Sequence, residues 1–223
     1  MQILLKNAQI FDGSQESPKQ DILVRNGIIE AIGSNLEAGA DTEVWASEQL
    51  CVSPGWLDVG VYAADPGFEH REDLTSVAAA AAAGGFTAIA CLPNTDPALH
   101  TKSEILYIKN KATSLPIHCY PIGAVSYACE GKDLAELFDM HAAGAIAFSD
   151  GKRSVQDAGL LLRAMQYAQA FNGLIINVPH HKTIAAGGQM HEGVMSTSLG
   201  LKGLPAMAEE LMVQRDLSLL EYS

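Results

Sequence analysis

Trp56-Leu57-Asp58-Val59-Gly60-Val61-Tyr62 is the stretch on which the fold turns. It is a short apolar run and reads as a buried strand. Asp73 to Ala83 follows as an alanine-rich helix, with Asp73 or Thr75 placed to cap its start. Gly84-Gly85 stops that helix, where the chain must take a positive φ. Thr87 to Leu92 is then the next strand. Strand, helix, strand in this order is the grammar of a β–α unit, and it implies a parallel sheet covered by helices.

The same grammar continues downstream. Helices are expected at 102–114, 133–142, 155–171 and 205–220. Strands are expected at 116–122, 144–148 and 174–178, giving about five units at roughly 30-residue spacing. A TIM-type barrel takes eight such units and about 250 residues. The expected fold class is therefore α/β, a partial TIM-type (β/α) barrel with about five of its eight units, over 53–223.

Upstream the pattern changes to short strands and polar turns. Strands are expected at 3–10, 21–25, 28–33 and 42–46, with Asp12-Gly13 as a turn and Asn26-Gly27 as a hairpin signal. Residues 1–52 read as a small N-terminal β-sandwich module, incomplete without a C-terminal part.

Composition narrows the function. There are 14 Lys+Arg against 26 Asp+Glu, a net charge of −12. An acidic chain of this kind argues against a nucleic-acid partner, which needs a basic surface. No apolar run reaches the ~20 residues that span a bilayer, so no membrane partner is expected. Met1 to Lys6 lacks a basic segment followed by a long apolar one, so no secretory leader is expected. Cys51, Cys91, Cys119 and Cys129 are widely spaced among mostly apolar neighbours. They read as buried free thiols, as a reducing cytoplasmic location would allow.

Several motifs together resemble the dihydroorotases of the amidohydrolase superfamily, the type associated with aspartate carbamoyltransferase. They are Lys6 to Gly13, Ser53 to Asp58, Asp65-Pro66-Gly67-Phe68-Glu69, Glu72-Asp73-Leu74 and Leu92-Pro93-Asn94-Thr95-Asp96-Pro97. Glu192-Gly193, Leu199 to Gly203, Pro205 and Ala208-Glu209-Glu210 match a later family segment. The resemblance implies pyrimidine biosynthesis and a hydrolase of cyclic amide C–N bonds that interconverts carbamoyl-aspartate and dihydroorotate. It also implies a zinc-bound hydroxide as nucleophile, because a divalent ion lowers the pKa of bound water to about 7.

The residues that this chemistry needs are mostly replaced. The family segment reads Gly-[FYW]-[ILV]-Asp-x-His-x-His-x-Arg-x-Pro-Gly, and here it aligns without a gap from Gly55 to Gly67. The two metal histidines fall on Gly60 and Tyr62, and the substrate arginine falls on Ala64. A further metal histidine falls on Val178. Asp150 is a surviving carboxylate, Asn94 a surviving substrate-binding residue, and Asp58 a candidate support for the metal ligands. A metal site needs three or four ligands. The resemblance thus implies a degenerate, inactive homologue with no cofactor. Its implied role is that of structural or regulatory partner of aspartate carbamoyltransferase, or of its own homo-oligomer. The alternative is an active cyclic-amide hydrolase with an altered zinc site, and a third reading is a pocket that binds a small carboxylate without chemistry.

Other polar groups carry less. His180, His181, His191 and His70 lie in loops; a relocated metal site from Asp150, His180 and His191 competes with a plain polar rim. His118 reads as a core histidine, and His141 as the closing residue of a helix. Gly187-Gly188-Gln189 lacks the strand, helix start and lysine of a phosphate loop, so a flexible rim loop is expected.

Overall fold

The computed structural model describes residues 1–11, 13 and 18–223, so the Asp12-Gly13 turn lies in part outside the described residues. The chain divides into two compact units, Met1–Gly55 and Trp56–Ser223. The first holds β1 (Gln2–Ile10), β2 (Gln20–Arg25), β3 (Ile28–Gly33), β4 (Thr42–Ala46) and β5 (Cys51–Val52). Their order is β3-β2-β1-β4, with β5 pairing the far end of β1. The Asn26-Gly27 hairpin is present, both residues having positive φ. Asp21 ties the unit together: its carboxylate accepts from Asn7 N at 2.8 Å and Leu36 N at 3.0 Å, with Lys6 Nζ at 3.3 Å. The Asn7 bond leads in holding its pKa down against the opposing effect of burial.

The second unit runs β6 (Trp56–Val61), α1 (Leu74–Ala83), β7 (Phe86–Cys91), α2 (Lys102–Ala112), β8 (His118–Gly123), α3 (Leu137–Ala143), β9 (Ala147–Phe148), α4 (Ala158–Gln169), β10 (Met190–His191), α5 (Val194–Leu199), β11 (Gly203–Leu204) and α6 (Met207–Tyr222). Strands β6-β7-β8-β9 are parallel neighbours in chain order. The fifth strand is reduced to one bridge, Phe148 with Ile175, and the expected α/β partial barrel is otherwise present.

Alternation along the strands separates two apolar layers. Ile89, Cys91, Cys119 and Phe148 face the helices and join Leu74, Ile105, Ile108, Leu137, Met140, Leu160 and Leu161 in the main core. Ala90, Ile122 and Ala147 face the other way and form a small cluster with Leu92 and Ile176. Leu57 and Val59 of β6 pair with Ala88 and Ala90, so they share that inner face, yet they stand 48% and 57% exposed.

Local chemistry sets the helix starts. Asp73, rather than Thr75, caps α1: Ser76 N donates to Asp73 Oδ1 at 2.7 Å and the Ser76 hydroxyl answers at Asp73 N. Thr101 and Glu104 make the equivalent reciprocal cap on α2, and Asp157 caps α4. Helix α3 begins later than expected because Leu134 is drawn into a bridge with Ser126.

Two cysteine and histidine expectations need correction. Cys51 is exposed, since the two-residue β5 buries it on neither side, whereas Cys91, Cys119 and Cys129 are buried and all four thiols are free. His118 is exposed and stacks on Tyr120 with ring centroids 6.1 Å apart, because the alternation of β8 buries Cys119 and not its neighbours. Burial pushes the thiol pKa of Cys91 and of Cys129 up to about 12 and raises that of Cys119. Thiol titration of the native chain with Ellman's reagent is therefore expected to show one fast-reacting group, lost in Cys51→Ser. Three more should appear only on unfolding, and two or more fast thiols would refute this.

Candidate functional site

The aligned positions gather at the C-terminal ends of β6, β7 and β9, the end of a parallel sheet where ligands bind. The frame at the first two is altered in its backbone as well as its side chains. Val59 pairs with Ala90 and Val61 with Cys91, so Gly60 is an extra residue on β6, a bulge, with φ +100. A bulge breaks the period of two that would aim residues 60 and 62 the same way. Gly60 offers no donor atom. The Tyr62 ring carries the ammonium of Lys152 at 3.5 Å from its centroid, a cation–π contact. Ala64 is buried and has φ +56, which leaves no room for an arginine at that position.

Asn94 is in the right region but its side chain is engaged. Its Nδ2 donates to Asp150 O at 2.9 Å, and its Oδ1 accepts from Lys152 N at 2.8 Å. It thereby clamps the turn Ser149-Asp150-Gly151-Lys152 from outside. Asp150 is buried; Ser126 donates to its carboxylate from both N (2.9 Å) and Oγ. Burial raises the pKa of Asp150, and the Ser126 bonds offset that only in part. Asp58 is exposed on β6 and shares the helix-facing side of the sheet with Ile89, its register partner, away from Leu57 and Val59. Val178 is 42% exposed and offers no donor.

The rival histidine set does not assemble. A cavity of about 470 Å³ is lined by Asp150 and His180, together with Lys132, Lys152, Arg153 and Lys182, whereas His191 lies on β10 outside it. Among the described residues no group of three or more His, Cys, Asp or Glu is placed to hold a metal ion. The residues at the family ligand positions do not fit a zinc ion: two lack donors, one is covered by an ammonium, and the surviving carboxylate is held by Ser126. Gly187-Gly188 serves packing instead of phosphate binding, because a Cβ at Gly188 would meet Leu204 Cδ2 at 2.3 Å.

Two groupings were not legible as sites. Asp65 is fully buried; Lys111 Nζ lies 2.6 Å from its carboxylate, Tyr107 donates at 2.8 Å, and Leu74 N donates at 3.0 Å. Burial would raise its pKa, but these bonds prevail and hold it below the ordinary value. Tyr107 and Lys111 share one face of α2 at i, i+4, the one signal that could have exposed the pair. The second grouping is cationic. A cavity of about 330 Å³ beside the first is lined by Tyr62, Phe68, Arg71, Asn94, Lys152 and Arg153, among others.

Comparison with known proteins agrees with this fold. The Dihydro-orotase-like family model matches residues 49–222. The protein named Dihydroorotase from Pelotomaculum thermopropionicum is 41% identical over 222 residues, covering 99% of this chain and 52% of its own length. The one from Syntrophus aciditrophicus is 42% identical over 229 residues, covering 100% and 53%. The chain thus spans about half the length of the curated relatives it matches. The solved L-hydantoinase (dihydropyrimidinase) of Arthrobacter aurescens superposes with a TM-score of 0.75 at 23% identity, over 99% of this chain and 50% of that one. A solved dihydroorotase superposes at 0.57 and 14%, over 98% and 63%. Matched by the family model over most of its length and by relatives at about 40% identity across its whole length, the chain belongs to the dihydroorotase-like family.

Proposed function

We infer that this chain is a non-catalytic dihydroorotase-like protein of pyrimidine biosynthesis. It works in the cytoplasm as structural or regulatory partner of aspartate carbamoyltransferase, or within its own homo-oligomer. The observation that carries the loss of catalysis is the Lys152 ammonium on the Tyr62 ring, at a position the resemblance assigns to a metal ligand. A fixed positive charge there opposes a divalent cation instead of ligating it. The bulge at Gly60 supports the same reading, because the strand no longer presents two ligands on one side. The partner role is supported by β6, which among the described residues has β7 as its one hydrogen-bonded neighbour and exposes Leu57 and Val59. Among the described residues no helix is long and apolar enough to cross a membrane.

The test is turnover. With zinc added, the purified chain is expected to interconvert carbamoyl-aspartate and dihydroorotate no faster than a no-enzyme control, and elemental analysis is expected to find no stoichiometric zinc. The combined variant Gly60→His, Tyr62→His, Ala64→Arg, Val178→His is expected to stay inactive and to lose stability. A histidine at φ +100 costs about 1–2 kcal/mol, and an arginine at buried position 64 has nowhere to go. Clear turnover by the unaltered chain would select the altered-site cyclic-amide hydrolase, which 41% identity to a protein named Dihydroorotase supports. Co-elution with the host's carbamoyltransferase in size exclusion, against self-association alone, separates the two partner roles.

A further inference from the structure

We propose that the cationic cleft at the mouth of the sheet is a binding site for a small oxyanion carrying two or more negative charges, held by Arg71, Lys152 and Arg153. The proposal rests on the non-catalytic reading of the same region only in that no metal shares the cleft.

Charge is the first reason. The protein has 14 basic residues and a net charge of −12, yet three of its basic side chains line one cavity of about 330 Å³. Among the described residues no carboxylate lines that cavity and none of the three is ion-paired. Cations left without carboxylate partners repel one another, and an acidic protein has many carboxylates with which to avoid this. Two carboxylates of the adjoining cavity attract Arg153 from a distance, Asp150, whose bonds go to Ser126, and Glu130, whose ion pair is with Lys132, and neither lines the cavity of the three cations.

Preorganisation is the second reason. Arg71 lies over the Phe68 ring at 5.2 Å and Lys152 over the Tyr62 ring at 3.5 Å, so two of the three cations rest on aromatic faces. Arg153 Nη1 donates to Cys129 O at 3.3 Å, which leaves the rest of its guanidinium fork free. Asn94 holds the backbone on which Lys152 and Arg153 stand. Asn94 thus acts here as a positioning residue for the two cations. A stacked ammonium or guanidinium keeps its outward N–H groups available, and charge-assisted bonds from several such groups suit a phosphoryl or dicarboxylate group. The adjoining cavity shares Lys152 and Arg153 and is lined by Lys132 and Lys182 together with the carboxylates of Glu130 and Asp150, so the anion is held on the side of Arg71.

The test is calorimetry on the chelator-treated full chain with inorganic pyrophosphate, carbamoyl-aspartate and acetate as separate probes. Pyrophosphate or carbamoyl-aspartate is expected to bind at one site per chain, more weakly as salt rises, and acetate at least tenfold more weakly than either, as a single charge meets fewer donors. Preference between the first two tells a phosphoryl from a dicarboxylate ligand. Lys152→Gln and Arg71→Gln, both at exposed positions outside the core, are each expected to weaken binding roughly tenfold. Arg163→Gln, away from the cavity, should leave it unchanged. Saturable binding absent for both polyanions, or unaffected by Lys152→Gln and Arg71→Gln, would overturn the proposal. Zinc-dependent turnover would overturn the non-catalytic reading instead, and the two results are read on different instruments.

Discussion

Asp65→Asn is expected to destabilise the second unit by about 3 kcal/mol, the cost of breaking a buried charge pair by removing one partner. Asp65 is fully buried, and three donors converge on its carboxylate from Lys111, Tyr107 and Leu74 N. An asparagine keeps one acceptor and turns the other atom into a donor, which must then face Lys111 or the Tyr107 hydroxyl. For a chain of this length the loss is about 6–12 °C in melting temperature. Urea unfolding followed by far-UV circular dichroism measures it, and a loss under 1 kcal/mol would show the network to be dispensable.

The same carboxylate gives the pH dependence its sign. Its folded pKa lies below the unfolded value, so its stabilisation is complete above the unfolded pKa and disappears as pH falls through the folded one. Asp150 has a raised folded pKa and acts in reverse: its contribution is complete below the unfolded pKa and disappears as pH rises through the folded one. The Asp65→Asn variant should therefore lose less of its remaining stability on acidification than the unaltered chain does.

Gly151→Ala is the second large effect expected, about 3 kcal/mol. A Cβ there would sit 2.0 Å from Asn94 Oδ1, and the backbone has φ +57. The left-handed conformation alone costs an alanine about 1 kcal/mol, and each of the two Asn94 hydrogen bonds displaced by the methyl is worth about 1 kcal/mol. Gly85→Ala is the matched control: φ is +83 there, but a Cβ meets nothing within 4 Å, so only the backbone penalty remains. Equal losses in the two variants would mean that Asn94 gives way freely. A larger loss at Gly151, with weaker pyrophosphate binding, would place the turn under the cationic cleft as its support.

Much of the fold was legible because its signals are local and periodic. The β6 run, the Asp73 cap, the Gly84-Gly85 stop and the Asn26-Gly27 hairpin each combine residue type with spacing, and each is where the sequence placed it, although β6 is exposed along most of its length and is not the buried strand its apolar run suggested. The elements at 190–204 were missed because two-residue strands and a six-residue helix are too short to show a period. His118 was misplaced because an apolar run does not say which of its residues face the helices. At the site, the resemblance marks 60, 62 and 178 as altered metal-ligand positions and 64 as an altered substrate position, residue by residue. It does not mark what took their place. The bulge at Gly60 depends on pairing with β7, and the meeting of Tyr62 with Lys152 joins residues 90 positions apart in the chain. Asn94 illustrates the limit best: the motif singles the residue out, but its bonds to the 150–152 backbone are tertiary.

The Lys152–Tyr62 contact also equips the cleft with its own optical reporter. An ammonium 3.5 Å from the ring centroid polarises the π electrons of one tyrosine out of six. An anion bound to the outward side of the stacked ammonium offsets its charge and moves the ring back toward the electronic environment of an ordinary phenol. A fluorine label on Tyr62 would then register occupancy of the cleft as a change in resonance frequency, with no need for the ligand to absorb light, react or be known in advance.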